Sequence, residues 1–128
     1  MERILKLGAL ALGLALASPV AAQDRGPGSV DSPATKMEVT AKDFTLSPDR
    51  LVVTRSQNID LTMINEGAAS HGLVLKLPDA EVKFSDPVEP KNRRTLSFRA
   101  PDRAGEYEIY CPMGNHRGRG MTATLVVR

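Results

Sequence analysis

Cysteine, aromatic side chains, helical periodicity and net charge are all scarce in this sequence, and each shortage narrows what the chain can be. Two tyrosines, three phenylalanines and no tryptophan leave a core that rests mainly on Val, Leu and Ile, with a few rings such as Phe44, Phe98 and Tyr107. The formal net charge is only +2, with 17 basic and 15 acidic residues mixed along most of the chain. That excludes the broad basic surface a nucleic-acid partner requires, so no nucleic acid is expected. No window shows a helical period of useful length. Cys111 is the only cysteine, so no disulfide can form within the chain. At 128 residues of ordinary hydrophobic and charged content, one soluble globular domain is expected.

The longest apolar stretch runs from Leu7 to Ala17, after a short basic start at Arg3 and Lys6. It is too short to cross a bilayer core of about 30 Å comfortably. Pro19 and the small residues Ser18, Val20, Ala21 and Ala22 follow it. This pattern predicts a signal peptide over residues 1–22, cleaved near Ala22, with an uncleaved anchor as the weaker alternative. The mature protein is then expected to have no membrane span, to be periplasmic or secreted, and to act as a monomer. In such a setting a single cysteine calls for an intermolecular bond, a free thiol or a metal.

Residues 23–35 read QDRGPGSVDSPAT, a Gly- and Pro-containing polar stretch expected to be a flexible leader. From Lys36 to Arg128 the texture changes to short alternating or β-branched runs, separated by turn residues at roughly ten-residue intervals. Strands are predicted around Met37–Ala41, Leu51–Thr54, Ile59–Ile64, Gly72–Leu77, Thr95–Phe98, Glu106–Cys111 and Thr122–Val127. The pattern implies an all-β sandwich or barrel of antiparallel strands. Residues 78–94, with three prolines, read as a long loop with an irregular edge strand.

The chemistry is concentrated near the C-terminus, in GEYEIYCPMGNHRGRGMTATLVV. A strand ends in Cys111, a Gly-rich loop carries His116, and Met121 opens the last strand. Pro112, Gly114, Gly118 and Gly120 let the backbone bend so that thiol, imidazole and thioether can converge. The only other histidine, His71, lies forty residues before Cys111, at the start of an apolar strand. Each residue alone has a bland reading: a hydrogen-bonded histidine, a buried thiol, a core methionine. Together, two imidazoles, a thiolate and a weak axial methionine form the ligand set of a blue-copper electron-transfer centre. Zinc is disfavoured, because its structural sites close with a fourth Cys or His rather than a thioether.

On His71 and the block from Gly105 to Met121, the sequence resembles the cupredoxin family of type 1 blue copper proteins, over nearly all of residues 36–128. Four residues separate Cys111 from His116 and four more separate His116 from Met121, a ligand loop longer than in plastocyanin and similar to that of rusticyanin-like members. The resemblance implies a Greek-key β-sandwich with one copper ion at one end, held by His71, Cys111, His116 and Met121 and cycling between Cu(II) and Cu(I). A binuclear copper centre would need a second cysteine. The expected role is a non-enzymatic exported electron carrier between redox partner proteins. A periplasmic copper tolerance or chaperone protein is the alternative, although residues 23–36 hold no extra His or Met donors. A small copper enzyme with an open position near Glu66 ranks third.

Several neighbours of the ligands acquire expected roles. The backbone N–H groups of Gly72 and Met113 are the candidate donors to the Cys111 sulfur, since Pro112 has none. The Asn65 amide is expected to pin the His71 loop to the Cys111 loop. His116 should serve as the electron port, flanked by Arg117 and Arg119, which are either steering charges for an acidic partner or ordinary solvated loop arginines.

Overall fold

The structure, a computed structural model, describes Gly13 and residues 32–128. The expected signal peptide, its cleavage point and the leader up to Asp31 therefore lie outside the described residues. Two sheets face each other. The first has the order β2 (Thr45–Ser47), β1 (Thr35–Lys42), β4 (Asn58–Asn65), β7 (Arg93–Arg99). The second has the order β3 (Arg50–Val53), β9 (Thr122–Val127), β8 (Gly105–Tyr110), β5 (Val74–Lys76), β6 (Glu81–Lys83). The expected all-β Greek-key sandwich is thus present, with no α-helix among the described residues.

Strict alternation builds the core, because successive strand residues point to opposite faces. In β4, Ile59, Leu61, Met63 and Asn65 are buried while Asp60, Thr62 and Ile64 are only half-buried. β1 contributes Val39 and Ala41, and β9 contributes Ala123, Leu125 and Val127. Phe44, Phe98 and Tyr107 pack against this aliphatic core from its margins.

One expectation is corrected. The sheets are mixed rather than antiparallel, since β1 runs parallel to β4 and β3 parallel to β9. Short loops between adjacent runs suggest hairpins, but the chain leaves the first sheet at β3 and returns at β4, and such a crossover yields parallel neighbours. The consequence is positional: Ala41 pairs with Asn65, so the residues following β1 and those following β4 emerge at the same end of the sandwich.

The obscure segment 78–94 is also resolved. It holds the short edge strand β6, paired with β5, and then a bridge between Val88 and His71. The N–H of Val88 donates to the His71 carbonyl at 2.7 Å and the N–H of His71 donates back at 3.1 Å. The least legible stretch of sequence clamps the backbone of a candidate ligand.

Candidate metal centre

Cys111, Met121 and His71 reach one end of the sandwich by extending core stripes. In β8 the inward position Ile109 is followed by Cys111, one residue past the strand end, and both are buried. Met121 precedes Ala123 with the same parity and is fully buried. The β8–β9 register pairs Tyr110 with Thr122, which sets Cys111 against Met121, and the Cys111 N–H donates to the Met121 carbonyl at 3.1 Å. The Met121 N–H in turn donates to the His116 carbonyl at 3.1 Å. His71, two residues before the buried Leu73, is 0% exposed.

Between these strands the His116 N–H donates to the Met113 carbonyl at 2.9 Å, and a 3-10 turn spans Arg117–Arg119. This folds the loop back so that the half-buried His116 faces His71 and Cys111. The three donor atoms form a compact triangle: His71 Nδ1 to His116 Nδ1 is 3.3 Å, Cys111 Sγ to His116 Nδ1 is 3.5 Å, and Cys111 Sγ to His71 Nδ1 is 3.9 Å. A point about 2.1 Å from all three atoms exists at its centre, inside the roughly 2.0–2.3 Å range of nitrogen and thiolate bonds to a first-row metal.

The protonation pattern suits a cation there. His71 Nε2 lies 2.7 Å from Asp43 Oδ1, so Nε2 donates to that carboxylate and Nδ1 is the ring nitrogen turned toward the triangle. Burial, then the charges of His71 and Arg119, push the His116 pKa down from its ordinary value, which keeps that ring neutral and able to ligate. The Ala68 N–H is the largest influence on Asp43, and it holds the carboxyl below its usual range against the opposing effect of burial.

The sequence model of the cupredoxin-like domain family matches residues 6–127. The chain belongs to the cupredoxin-like family. No curated protein matches its sequence. Among solved structures, dithionite-reduced auracyanin from Roseiflexus castenholzii aligns with a TM-score of 0.64 at 19% identity, over 76% of this chain and 99% of that one. Auracyanin A, a "blue" copper protein from Chloroflexus aurantiacus, aligns with a TM-score of 0.65 at 17% identity, over 75% and 100% of the two chains. A blue copper oxidase from Nitrosomonas europaea aligns at 0.62 and 17% identity, over 73% of this chain but 38% of that one. At such identities these likenesses establish the fold.

The donor set of this cupredoxin fits one copper ion: a thiol and two imidazoles in trigonal reach, with a buried thioether residue bonded through its backbone to Cys111 and His116. Of the two expected donors to sulfur, the Gly72 N–H is in place at 3.4 Å. A Cβ at residue 72 would stand 3.0 Å from Pro112 Cδ, so glycine permits this approach. The Met113 N–H makes no such bond among the described residues. Asn65 also departs from its expected role. Its fully buried amide donates to the carbonyls of Ala69, at 2.9 Å, and Val88, at 2.8 Å, and accepts from the Gly67 N–H at 2.8 Å. It therefore organises its own loop and ties it to segment 78–94 rather than to the Cys111 loop, because β4 ends beside that segment.

Glu66 pairs with Lys42 at 3.9 Å, both half or more exposed, and lies outside the donor triangle. Arg117 forms an ion pair with Glu108 and lies 4.0 Å over the Tyr110 ring. Arg119 stacks 3.7 Å over Phe44, whose ring meets His116 edge-on at 4.7 Å between centroids. The sequence reading gave neither Asp43 nor Phe44 a part in the site, yet these neighbours in the β1–β2 turn touch His71 and His116 respectively. Asp43 continues the inward parity of Met37, Val39 and Ala41, the one signal that could have marked it.

Proposed function

We propose that this cupredoxin is an exported type 1 copper protein that carries single electrons between redox partner proteins. His71 Nδ1, Cys111 Sγ and His116 Nδ1 would hold the copper, with the Met121 thioether as a weak fourth donor. The observation that carries the reading is the donor triangle, whose centre suits a metal–ligand bond length. Copper bound there would supply a Cu(II)/Cu(I) couple. The chain's own part is to hold the donors still, and the means are the two-way Val88–His71 backbone pairing and the Cys111–Met121 hydrogen bond. Ligands that do not move between oxidation states keep reorganisation small.

His116 is the ligand nearest solvent, half-buried beside exposed Arg117 and Arg119, and its ring edge is the route for the electron. His71 and Cys111 are fully buried, which favours electron transfer over a carrier that must hand its ion to a partner by ligand exchange. Export rests on the signal-peptide pattern of residues 1–22, and an intact mass beginning at Gln23 would support it.

The test of function is spectroscopic. Copper-loaded protein should show an intense visible thiolate-to-copper band, and Cys111→Ser should abolish it while leaving the apo fold intact by circular dichroism. A colourless copper-loaded wild type, or a Cys111→Ser variant that keeps the band, would refute the assignment.

A further inference from the structure

We propose that Asp43 is a positioning residue for the centre, one that holds the His71 ring by its outer nitrogen and biases bound copper toward Cu(II). The inference rests on the copper reading above and extends it to a residue with no part in the donor set. Asp43 stands 28 residues before His71 in sequence, on the turn after β1. The parallel pairing of β1 with β4 brings this turn beside the loop of residues 66–70, and the carboxylate bridges the two.

Its contacts are directional. Oδ2 accepts the Ala68 N–H at 2.8 Å, Oδ1 accepts the Ala69 N–H at 3.3 Å, and Oδ1 also takes the His71 Nε2–H at 2.7 Å. Two backbone donors therefore fix the carboxylate, and the fixed carboxylate fixes the ring. His71 is fully buried whereas the Asp43 side chain is 28% exposed. The pair accordingly keeps one charged group at the rim and passes its influence through the imidazole to the interior.

Two effects follow from that arrangement. The ring is locked in the tautomer whose Nδ1 faces Cys111 and His116. The carboxylate also draws the Nε2 proton toward itself, which leaves more electron density at Nδ1 and makes it a stronger donor to the more highly charged metal state. Backbone carbonyls or water orient a ligating imidazole as well, but without a full negative charge the second effect is weaker.

Glycine at position 67 belongs to the same device. A Cβ there would lie 2.3 Å from Asp43 Oδ1 and 2.9 Å from His71 Nε2, so any larger residue would drive a wedge into the hydrogen bond. This provides two independent perturbations. Asp43→Asn removes the charge and nearly preserves the shape. Gly67→Ala keeps the charge and pushes it off the ring. Ser70→Ala serves as the control, since Ser70 Oγ bonds Glu89 Oε2 at 2.7 Å in the same loop without touching the ring.

The experiment is voltammetry of the copper-loaded wild type and the three variants, with visible spectra to establish that each remains a type 1 centre. Outer-shell partners of a ligating histidine commonly alter metal affinity by about 10–100-fold. A tenfold selective loss of Cu(II) over Cu(I) affinity corresponds to a rise of about 59 mV in a one-electron potential. Asp43→Asn and Gly67→Ala should both raise the potential by at least that amount, with Ser70→Ala at the wild-type value. Where Asp43→Asn does not fold, Gly67→Ala carries the comparison. In the diamagnetic Cu(I) protein, the His71 Nε2 proton should be strongly deshielded and slow to exchange, and should lose both properties in the two variants. A blue wild type whose potential is unmoved by either substitution, or moved equally by Ser70→Ala, would overturn the role of Asp43 and leave the copper assignment standing. A wild type with no blue centre would overturn the copper assignment itself.

Discussion

Replacing Asn65 with Ala deletes the three hydrogen bonds that organise the loop before His71: two donated by the amide, to Ala69 and Val88, and one accepted from Gly67. Each such bond contributes about 0.5–1.5 kcal/mol net, so the set amounts to roughly 2–4 kcal/mol. The Val88 carbonyl keeps its bond from the His71 N–H and Ala69 is only half-buried, which limits the penalty of groups left without partners and places the expected loss near 3 kcal/mol. In a domain of this size one kcal/mol moves Tm by about 4–8 °C, so the apo protein should melt roughly 12–24 °C lower. Thermal and urea unfolding followed by circular dichroism give both quantities. Asn65→Asp supplies the sign check. At neutral pH it keeps the acceptor for Gly67 but sets a carboxylate against two carbonyl oxygens, so it should be at least as damaging. Acidification protonates that carboxyl and restores a donor, so the gap between this variant and wild type should narrow as pH falls. A loss below about 1 kcal/mol in Asn65→Ala would show that the loop owes its order to something other than these bonds.

The Met121 series tests the axial position: Leu removes a weak donor and Gln offers a harder oxygen, so potentials should fall in the order Leu, Met, Gln. Equal values would make Met121 core filler. For the basic pair beside His116, Arg117 already has Glu108 as a counter-charge, whereas Arg119 makes no ion pair among the described residues. Arg119→Ser should therefore slow reduction by an anionic metal complex at low salt more than Arg117→Ser does, and the difference should shrink as ionic strength rises. Identical salt dependences for both variants and wild type would remove these arginines from the docking role. Copper should also raise Tm in proportion to the logarithm of its free concentration above Kd, because the ligands converge only in the folded chain. A Tm unaffected by copper would mean that the ion binds without this site.

Period-two alternation made the strands legible, and it also made the ligand block legible. Cys111 and Met121 sit at the inward parity of β8 and β9, and both can be counted from the buried residues that follow or precede them. His71 could be found because the chain has only two histidines and one of them starts an apolar run. These are local properties, carried by residue type and spacing along a single strand or loop, and the sequence by itself determined them.

What it could not determine is which separate segments share an end of the sandwich. Asn65 was noticed but assigned to the wrong neighbour, because its partners depend on where segment 78–94 passes, and the prolines there mask any pattern. Phe44 was read as a core ring, and it lies instead between Arg119 and His116. Asp43 was not singled out at all, since an aspartate in a turn ordinarily has only its own turn to serve. Its place beside His71 follows from the parallel register of β1 and β4, in which Ala41 pairs with Asn65. Hairpin reasoning predicts antiparallel neighbours and would send the end of β1 to the far side of the molecule from the end of β4. Parallel pairing requires a crossover whose closure depends on the whole core, so only the tertiary structure decided that a carboxylate would stand behind the buried histidine.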